Sequence, residues 1–331
     1  MERFISLLGL FIFLGLGYAL STSRKNIQWK TVISGVVLQM SFGLFILKTD
    51  FGLSVFEGAR KVFTEIINYT NEGSRFIFGS LMDQSEVGFV FATMVLPTIL
   101  FVSSLMSILY YLGVMQWVVR GVAWLMVRVM GTSGSESLAA AANIFAGQTE
   151  APLVIRPFVD GMTRSELMAL MTGGMATVAG GVLAAYVGLG VDAGHLLSAS
   201  VMSAPAALVC AKLMVPETEN SKTKGHVKFE MEKQYAKLID AAAAGAAEGL
   251  KLALNVGAML LCFIALIAMV NGGLSWLGEF WGFSGLSLEW LMGYIFSPIA
   301  FILGIPWEDC LVAGSLLGKK MVLNEFVAYL D

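Results

Sequence analysis

The stretch NIFAGQTEAPLVIRP, residues 143–157, places Gln148, Thr149 and Glu150 in the middle of an otherwise apolar region. A carboxylate in hydrophobic surroundings is costly unless it faces a cavity or has a partner. These side chains therefore indicate a substrate or ion site, with a structural cap of a helical hairpin as the alternative for Glu150. Whether Glu150 serves a binding site or a structural cap depends on the environment in which the chain folds.

The composition of the chain is that of an integral membrane protein. Hydrophobic residues make up 57% of the 331 residues and charged residues only 14%, whereas about a quarter of a soluble domain is charged. The net charge of −3 offers no basic field for nucleic acid, so a nucleic acid partner is excluded. The cysteines Cys210, Cys262 and Cys310 lie singly in apolar runs, which indicates neither a zinc site nor a disulfide framework.

Six apolar segments have about the 20 residues that a transmembrane helix requires. They lie at about 4–21, 30–48, 87–113, 165–189, 195–214 and 251–272. The first segment lacks a cationic n-region beyond Arg3 and a cleavage pattern, which favours a transmembrane helix over the alternative of a signal peptide. The segment 49–86 mixes charged and apolar residues and predicts a helix at the membrane interface, with an ordinary loop as the alternative.

The lysine and arginine residues predict the orientation of these spans, since basic residues concentrate in cytoplasmic loops. They form clusters after the first, third and fifth spans: Arg24, Lys25 and Lys30; Arg120, Arg128, Arg156 and Arg164; and Lys222, Lys224, Lys228, Lys233 and Lys237. All three clusters fall on one side of the membrane, which is predicted to be cytoplasmic. We therefore expect a multi-pass protein of the cell inner membrane whose N-terminus faces outward.

A polar linker at 215–240 divides the chain into two parts of similar design. The first part contains a predicted hairpin at 133–160, which begins with the capping box of Ser133 and Glu136 and is interrupted at Gly147. Its first arm has about ten residues, so at about 1.5 Å per residue it reaches only about halfway through a bilayer.

The second part repeats this plan in residues 286–331. An acidic start at Glu308 and Asp309 leads through a short arm to a polar tip at Asn324 and Glu325. Because three spans separate the two hairpins, the hairpins must enter the membrane from opposite sides. The pattern predicts an all-α integral membrane protein, an inverted-repeat transporter with re-entrant helical hairpins and broken transmembrane helices.

A third interruption lies in the stretch GGMATVAGG, residues 173–181, in the middle of the span at 165–189. Four glycines and Thr177 there would allow a helix to unwind and to offer carbonyl oxygens to a cation. The alternative is close packing of helices through small residues.

The first hairpin has its polar tip at residues 148–150 and the second at residues 324–325. The polar residues near these two tips suit a neutral polar ring, a sugar and a monovalent cation. Gln148 both donates and accepts hydrogen bonds, and Thr149 adds a hydroxyl. Glu325 can accept from two adjacent hydroxyls, such as those of a ribose, with a structural cap of the hairpin tip as the alternative. Asn143 offers a neutral oxygen to a cation, although a hydrogen bond that closes the hairpin is the alternative.

Several motifs together resemble the concentrative nucleoside transporter family. They are AAANIFAG followed by GQTEAPLVIRPF, AGGVLAAY after Thr177, YYLGVMQWVVR at 110–120 and NEFVAY at 324–329. The resemblance runs from the first span to Asp331, and the motifs GQTEAPL and NEFVAY are highly specific in combination. It implies a homotrimer, surrounded by membrane lipid, that carries a nucleoside such as uridine by an elevator motion.

The resemblance also implies roles for individual residues in binding the substrate. Gln148, Thr149 and Glu150 would contact the nucleobase, with Val182 packing nearby. Glu325 would bind the ribose hydroxyls.

A sodium site is implied in the same way. The family's sodium ligands map onto the side chain of Asn143, the carbonyl groups of Ala146 and Val178, and Thr177, where relatives have serine. Because proton-coupled relatives tend to lack the asparagine, Asn143 favours sodium as the co-transported ion. No organic cofactor is expected.

A division into a scaffold and a mobile transport domain is implied as well. Scaffold spans are expected at 1–113 and the first repeat of the transport domain at 114–214. The linker at 215–240 leads to an interfacial helix and a scaffold span at 241–275, and the second hairpin follows at 286–331. Family members continue beyond NEFVAY with a return arm and two more helices, so the chain is expected to be part of a longer protein.

Functions other than sodium-coupled transport remain as alternatives. The first is a nucleoside transporter that is coupled to protons. The second is an intramembrane enzyme that uses Glu150 and Glu325 as an acid and base pair, and the third is a channel. The histidines His195 and His226 have no serine or cysteine partner at a suggestive spacing, so we expect no enzymatic activity.

Overall fold

The computed structural model describes residues 2–148, 151–178, 180–225, 235–283, 285–322 and 325–330. Within these ranges the regular structure is helical, and extended backbone pairs only in an isolated antiparallel bridge between Ser133 and Lys224. The prediction of an all-α protein is confirmed.

The α-helices follow one another in this order: α1 (Glu2–Ala19), α2 (Trp29–Lys48), α3 (Asp50–Phe78), α4 (Gln84–Val87), α5 (Phe91–Met94), α6 (Leu96–Tyr111), α7 (Val114–Met130), α8 (Gly134–Asn143), α9 (Ala151–Val154), α10 (Arg156–Val159), α11 (Arg164–Ala176), α12 (Gly180–Gly188), α13 (Ala193–Met214), α14 (Leu238–Phe280), α15 (Leu288–Ile302), α16 (Cys310–Val322) and α17 (Glu325–Leu330).

In the part of the chain that the structure describes, four segments are long and apolar enough to cross a membrane. They are Trp29–Ile46, Phe91–Tyr111, Ala193–Met214 and Leu238–Phe280. Shorter apolar helices lie at Ile5–Ala19 and Leu288–Ile302. The span predicted at 165–189 is divided between α11 and α12.

Helix α14 runs without a break through the range 241–275, for which the sequence predicts an interfacial helix and a separate span. Its 43 residues have a length of about 65 Å, which is about twice the thickness of the hydrocarbon core of a bilayer. The stretch AAAAGAAEG at its start contains mostly strong helix formers and no proline, so nothing local stops the helix.

The chain divides into two compact units, one of residues 17–253 and one of residues 1–16 with 254–331. In the first unit, all ten residues of α8 are buried. Val119 and Ala123 of α7, together with Val154 and Ile155, pack against its alanines. Small residues allow helices to approach closely, so α8, the short arm of the predicted first hairpin, lies buried inside this unit.

Helix α3 begins where the sequence predicts an interfacial helix. Its N-cap is Thr49, whose side chain accepts a hydrogen bond from the backbone of Gly52 at 2.9 Å. One face carries the buried side chains of Thr70 and Ser74, whereas Phe76 is 93% exposed. The helix is therefore amphipathic, and its position at the membrane surface remains a prediction.

In the second unit, α15 and α16 pack together through glycines. A Cβ atom added to Gly314 would lie 2.5 Å from the carbonyl oxygen of Gly293, and one added to Gly318 would lie 2.5 Å from the side chain of Met292. An ion pair of 3.6 Å between Lys319 and Glu289 joins the same two helices. The two backbones are therefore too close to admit a larger residue at Gly314.

We predict that Gly314→Ala lowers the thermal stability of the detergent-purified protein, because the added methyl group must displace backbone atoms at a cost of about 1–3 kcal/mol. The matched control is Gly272→Ala in α14, where an added Cβ meets no atom within 4 Å. This control should be neutral or slightly stabilising. Equal melting temperatures for the two variants would contradict the close packing of α15 and α16.

Candidate functional site

Asn143 is the last residue of α8 and is only 1% exposed. Neither its amide nitrogen nor its amide oxygen has a hydrogen-bond partner among the residues that the structure describes. The alternative of a hydrogen bond that closes the hairpin is therefore not observed in these ranges. Leaving a buried polar group unpaired costs about 1–3 kcal/mol, so the amide of Asn143 indicates a place where a polar ligand binds.

Helix α11 lies directly against this amide. A Cβ atom added to Gly173 would lie 2.9 Å from the amide nitrogen of Asn143. Glycine at this position therefore lets the asparagine side chain approach the backbone of the neighbouring helix. Close packing, one of the two interpretations of the glycine-rich stretch, applies at Gly173.

The other interpretation, an unwound helix, applies a few residues later. Helix α11 ends at Ala176, Thr177 has the extended conformation with φ −121° and ψ 156°, and α12 begins at Gly180. The hydroxyl of Thr177 donates a hydrogen bond to the carbonyl oxygen of Gly173 at 2.9 Å. Because its hydrogen is used in this bond, the lone pairs of the Thr177 oxygen can face a cation.

Two further hydrogen bonds hold the end of α8 beside the break. The backbone amide of Gly180 donates to the carbonyl oxygen of Phe145 at 3.0 Å. The hydroxyl of Ser200 in α13 donates to the carbonyl oxygen of Ile144 at 2.9 Å. Ser200 is not among the residues predicted from the sequence, where its signal is that of a small polar residue in an apolar span.

The contacts of Gly173 and Gly180 place the segment of Asn143 and Ala146 beside the segment of Thr177 and Val178. All four predicted sodium ligands thus lie on two adjacent segments of one unit. Their donor atoms are an amide, a hydroxyl and backbone carbonyl groups, which are neutral oxygens. The described residues hold no group of three or more histidine, cysteine, aspartate or glutamate side chains that could bind a metal ion.

The predicted substrate residues of the first tip are only partly visible. Gln148 is exposed, and its Cβ would lie 3.1 Å from a Cβ added to Gly174. Gln148 therefore lies against α11 at the residue that follows Gly173, which contacts Asn143. Val182 is half-buried in α12. Thr149 and Glu150 lie outside the described residues, and their contact with a nucleobase remains a prediction.

Glu325, the predicted ribose ligand, belongs to the second unit. It is the first residue of α17, and its side chain is half-buried, next to the buried residues Phe326 and Val327. Asn324, the other predicted residue of this tip, lies outside the described residues. Binding of a ribose by Glu325 remains a prediction.

Three family models match successive parts of the chain. The model described as "Na+ dependent nucleoside transporter N-terminus" matches residues 8–81. The model described as "Nucleoside recognition" matches residues 92–192. The model described as "Na+ dependent nucleoside transporter C-terminus" matches residues 195–331.

Similar proteins occur in bacteria and mammals. The chain is 48% identical to the uncharacterized transporter YutK of Bacillus subtilis, over 98% of its own length and 80% of that protein. It is 44% identical to sodium/nucleoside cotransporter 1 of Homo sapiens, over 100% of its own length. It spans 50% of the human protein, so the chain covers about half of this mammalian relative.

Solved structures of CNTnw have the same fold. The inward-facing, substrate-bound state of CNTnw aligns with a TM-score of 0.93 at 45% identity, covering 100% of this chain and 79% of that one. A doubly substituted CNTnw in an outward-facing state aligns with a TM-score of 0.94 at 44% identity, with the same coverage.

We predict that Asn143→Leu raises the melting temperature in a buffer without sodium. Leucine has a similar shape and removes two buried polar groups that have no partner in the described part of the chain, which we expect to stabilise the protein by about 1 kcal/mol. The matched control is Asn271→Leu in α14, because the amide of Asn271 donates to Glu289 at 2.9 Å and accepts from the backbone of Leu288 at 2.8 Å. The control variant should have a lower melting temperature than the wild type. If Asn143→Leu lowered the melting temperature as well, the amide of Asn143 would have a hydrogen-bond partner in the protein.

Proposed function

This chain belongs to the Na⁺-dependent nucleoside transporter family, and we propose that it imports nucleosides across the cell inner membrane in symport with sodium. The observation that carries the proposal is the buried amide of Asn143, which has no hydrogen-bond partner among the described residues and lies beside the break between α11 and α12. Its relatives are transporters, which supports a function without chemical conversion of the substrate.

Sodium is the ion that suits the proposed site. The ligands would be the side chain of Asn143, the carbonyl groups of Ala146 and Val178, and the hydroxyl oxygen of Thr177. These donors carry no formal charge, and a monovalent cation needs less charge compensation than a divalent one. The ion would satisfy the oxygen of an amide that the described protein groups leave unpaired.

The substrate of the proposed transport is a nucleoside. Gln148, Thr149 and Glu150 would contact the nucleobase, Val182 would pack against it, and Glu325 would accept hydrogen bonds from the ribose hydroxyls. We name uridine as the substrate for testing.

Coupling would arise because the ion and the substrate use the same short segment. Asn143 precedes Gln148 by only five residues, and their contacts on α11 are the consecutive residues Gly173 and Gly174. An ion bound at Asn143 would restrain this segment and so lower the cost of ordering Gln148 for substrate binding. Each ligand then stabilises the arrangement that the other prefers.

Transport would proceed by an elevator motion within a homotrimer surrounded by lipid. Helix α14 supports contact with lipid or with another subunit, since Leu254, Leu261 and Met269 are largely exposed although the helix is apolar. Such a surface needs lipid or a second copy of the chain to cover it.

We predict that the complete protein in proteoliposomes takes up radiolabelled uridine in a saturable manner under an inward sodium gradient, with at least about tenfold less uptake when choline replaces sodium. Glu150→Gln should abolish uptake, because the nucleobase loses a charged partner. Uptake that depends on a proton gradient instead would contradict the sodium site and favour proton coupling. Conversion of uridine to a product would indicate an enzyme, and flux without saturation a channel.

We predict that Thr177→Val raises the sodium concentration for half-maximal uptake by about tenfold, because it removes one oxygen ligand. Thr177→Ser is the matched control: it keeps the hydroxyl and should remain close to the wild type. If valine and serine behaved alike, the hydroxyl would have no part in sodium binding.

A further inference from the structure

The two helices that lead to the proposed sodium ligands, α8 and α11, begin side by side, each with a capping box. At the start of α8, the backbone amide of Ser133 donates to Glu136 at 2.7 Å. At the start of α11, the backbone amide of Thr163 donates to Glu166 at 2.8 Å. Both carboxylates are buried, with Glu136 2% and Glu166 1% exposed. The hydroxyl of Ser135 donates to Glu166 at 3.0 Å and so joins the two helix starts.

The linker between the two halves of the chain adds a second connection. The hydroxyl of Ser221 donates to Glu166 at 2.6 Å, and that of Thr223 donates to the same oxygen at 3.3 Å. The carbonyl oxygen of Thr223 accepts from the backbone amide of Gly134 at 2.9 Å. Thr223 therefore contacts the first turns of both helices at once.

An ion pair network extends this connection to α13. The ammonium group of Lys212 lies 2.6 Å from a carboxylate oxygen of Glu136 and 3.6 Å from one of Glu217. It also donates to the hydroxyl of Ser165 at 2.9 Å. The hydroxyl of Thr163 in turn donates to Glu217 at 2.7 Å. The buried lysine thus connects α8, α11 and the linker.

We propose that residues 217–223 of the linker form a strap that aligns α8 with α11 and thereby sets the affinity of the sodium site. The inference rests on the sodium-coupled transport proposed above. Asn143 is the C-terminal residue of α8, which has ten residues. Thr177 directly follows the C-terminal residue of α11, which has 13 residues. Because short helices are stiff, a tilt or slide at their starts would change the distance between these two ligands. Ser221 and Thr223 are positioning residues and do not touch the ion.

The test compares three variants of the complete protein in proteoliposomes. Ser221→Ala with Thr223→Val removes both hydroxyls from Glu166. Ser221→Thr with Thr223→Ser keeps them, and Glu219→Gln changes an exposed linker side chain. We expect the first variant to raise the sodium concentration for half-maximal uridine uptake by roughly fivefold to tenfold, with maximal uptake within about twofold of the wild type. The two controls should stay within about twofold of the wild type.

Thermal unfolding with and without sodium separates positioning from a merely structural role. If the strap sets the sodium affinity, the sodium-induced rise in melting temperature should be smaller in the variant with Ser221→Ala and Thr223→Val than in the wild type. A lower melting temperature with an unchanged sodium-induced rise and unchanged sodium dependence of uptake would overturn the strap. If the double variant is not recovered folded, Thr223→Val alone provides the same comparison. Wild-type protein that responds to sodium in neither assay would instead overturn the proposed function.

Discussion

The constraint on which the structure depends is that polar groups inside an apolar environment must find partners within the protein. Interrupting helices at Asn143 and Thr177 frees backbone groups that would otherwise be paired. The protein satisfies several of them: Ser200 donates to the carbonyl of Ile144, and Gly180 donates to that of Phe145. The amide of Asn143, by contrast, has no hydrogen-bond partner among the described residues. The paired backbone groups therefore stabilise the broken helices, whereas the amide of Asn143 would be paired by the proposed ligand.

In the proposed transport, the short arm α8 would allow the ion and the substrate to act on one another. Its start is held by the capping box of Ser133 and Glu136, its last residue is Asn143, and Gln148 follows five residues later. All ten residues of the arm are buried, so it cannot adjust locally without disturbing its neighbours. A ligand that changes one end therefore biases the position of the other end, which is the physical requirement for coupled binding.

Local signals in the sequence predicted the parts of the fold that local chemistry determines. The hydrophobic runs predicted the helices, and the capping box at Ser133 is present as expected. The glycine-rich stretch allowed two interpretations, and both apply, because Gly173 serves close packing while the chain is extended at Thr177. The sequence could not assign these roles, since they depend on which helix lies opposite. Contacts between distant segments were also missed, as at Ser200 and Thr223, because no local pattern encodes them.

The sequence predicts two halves of similar design, and these halves differ at the position of Asn143, the proposed sodium ligand. In both, a helix packs along a short arm that leads to a glutamate: α7 on α8 in the first unit, and α15 on α16 in the second. Asn143 lies seven residues before Glu150, and the residue seven before Glu325 is Gly318. Gly318 has no side-chain oxygen, and the space beside it is filled by Met292. At this spacing from its glutamate, the second half therefore has no side-chain oxygen that corresponds to that of Asn143, because the close packing against Met292 leaves room only for a glycine.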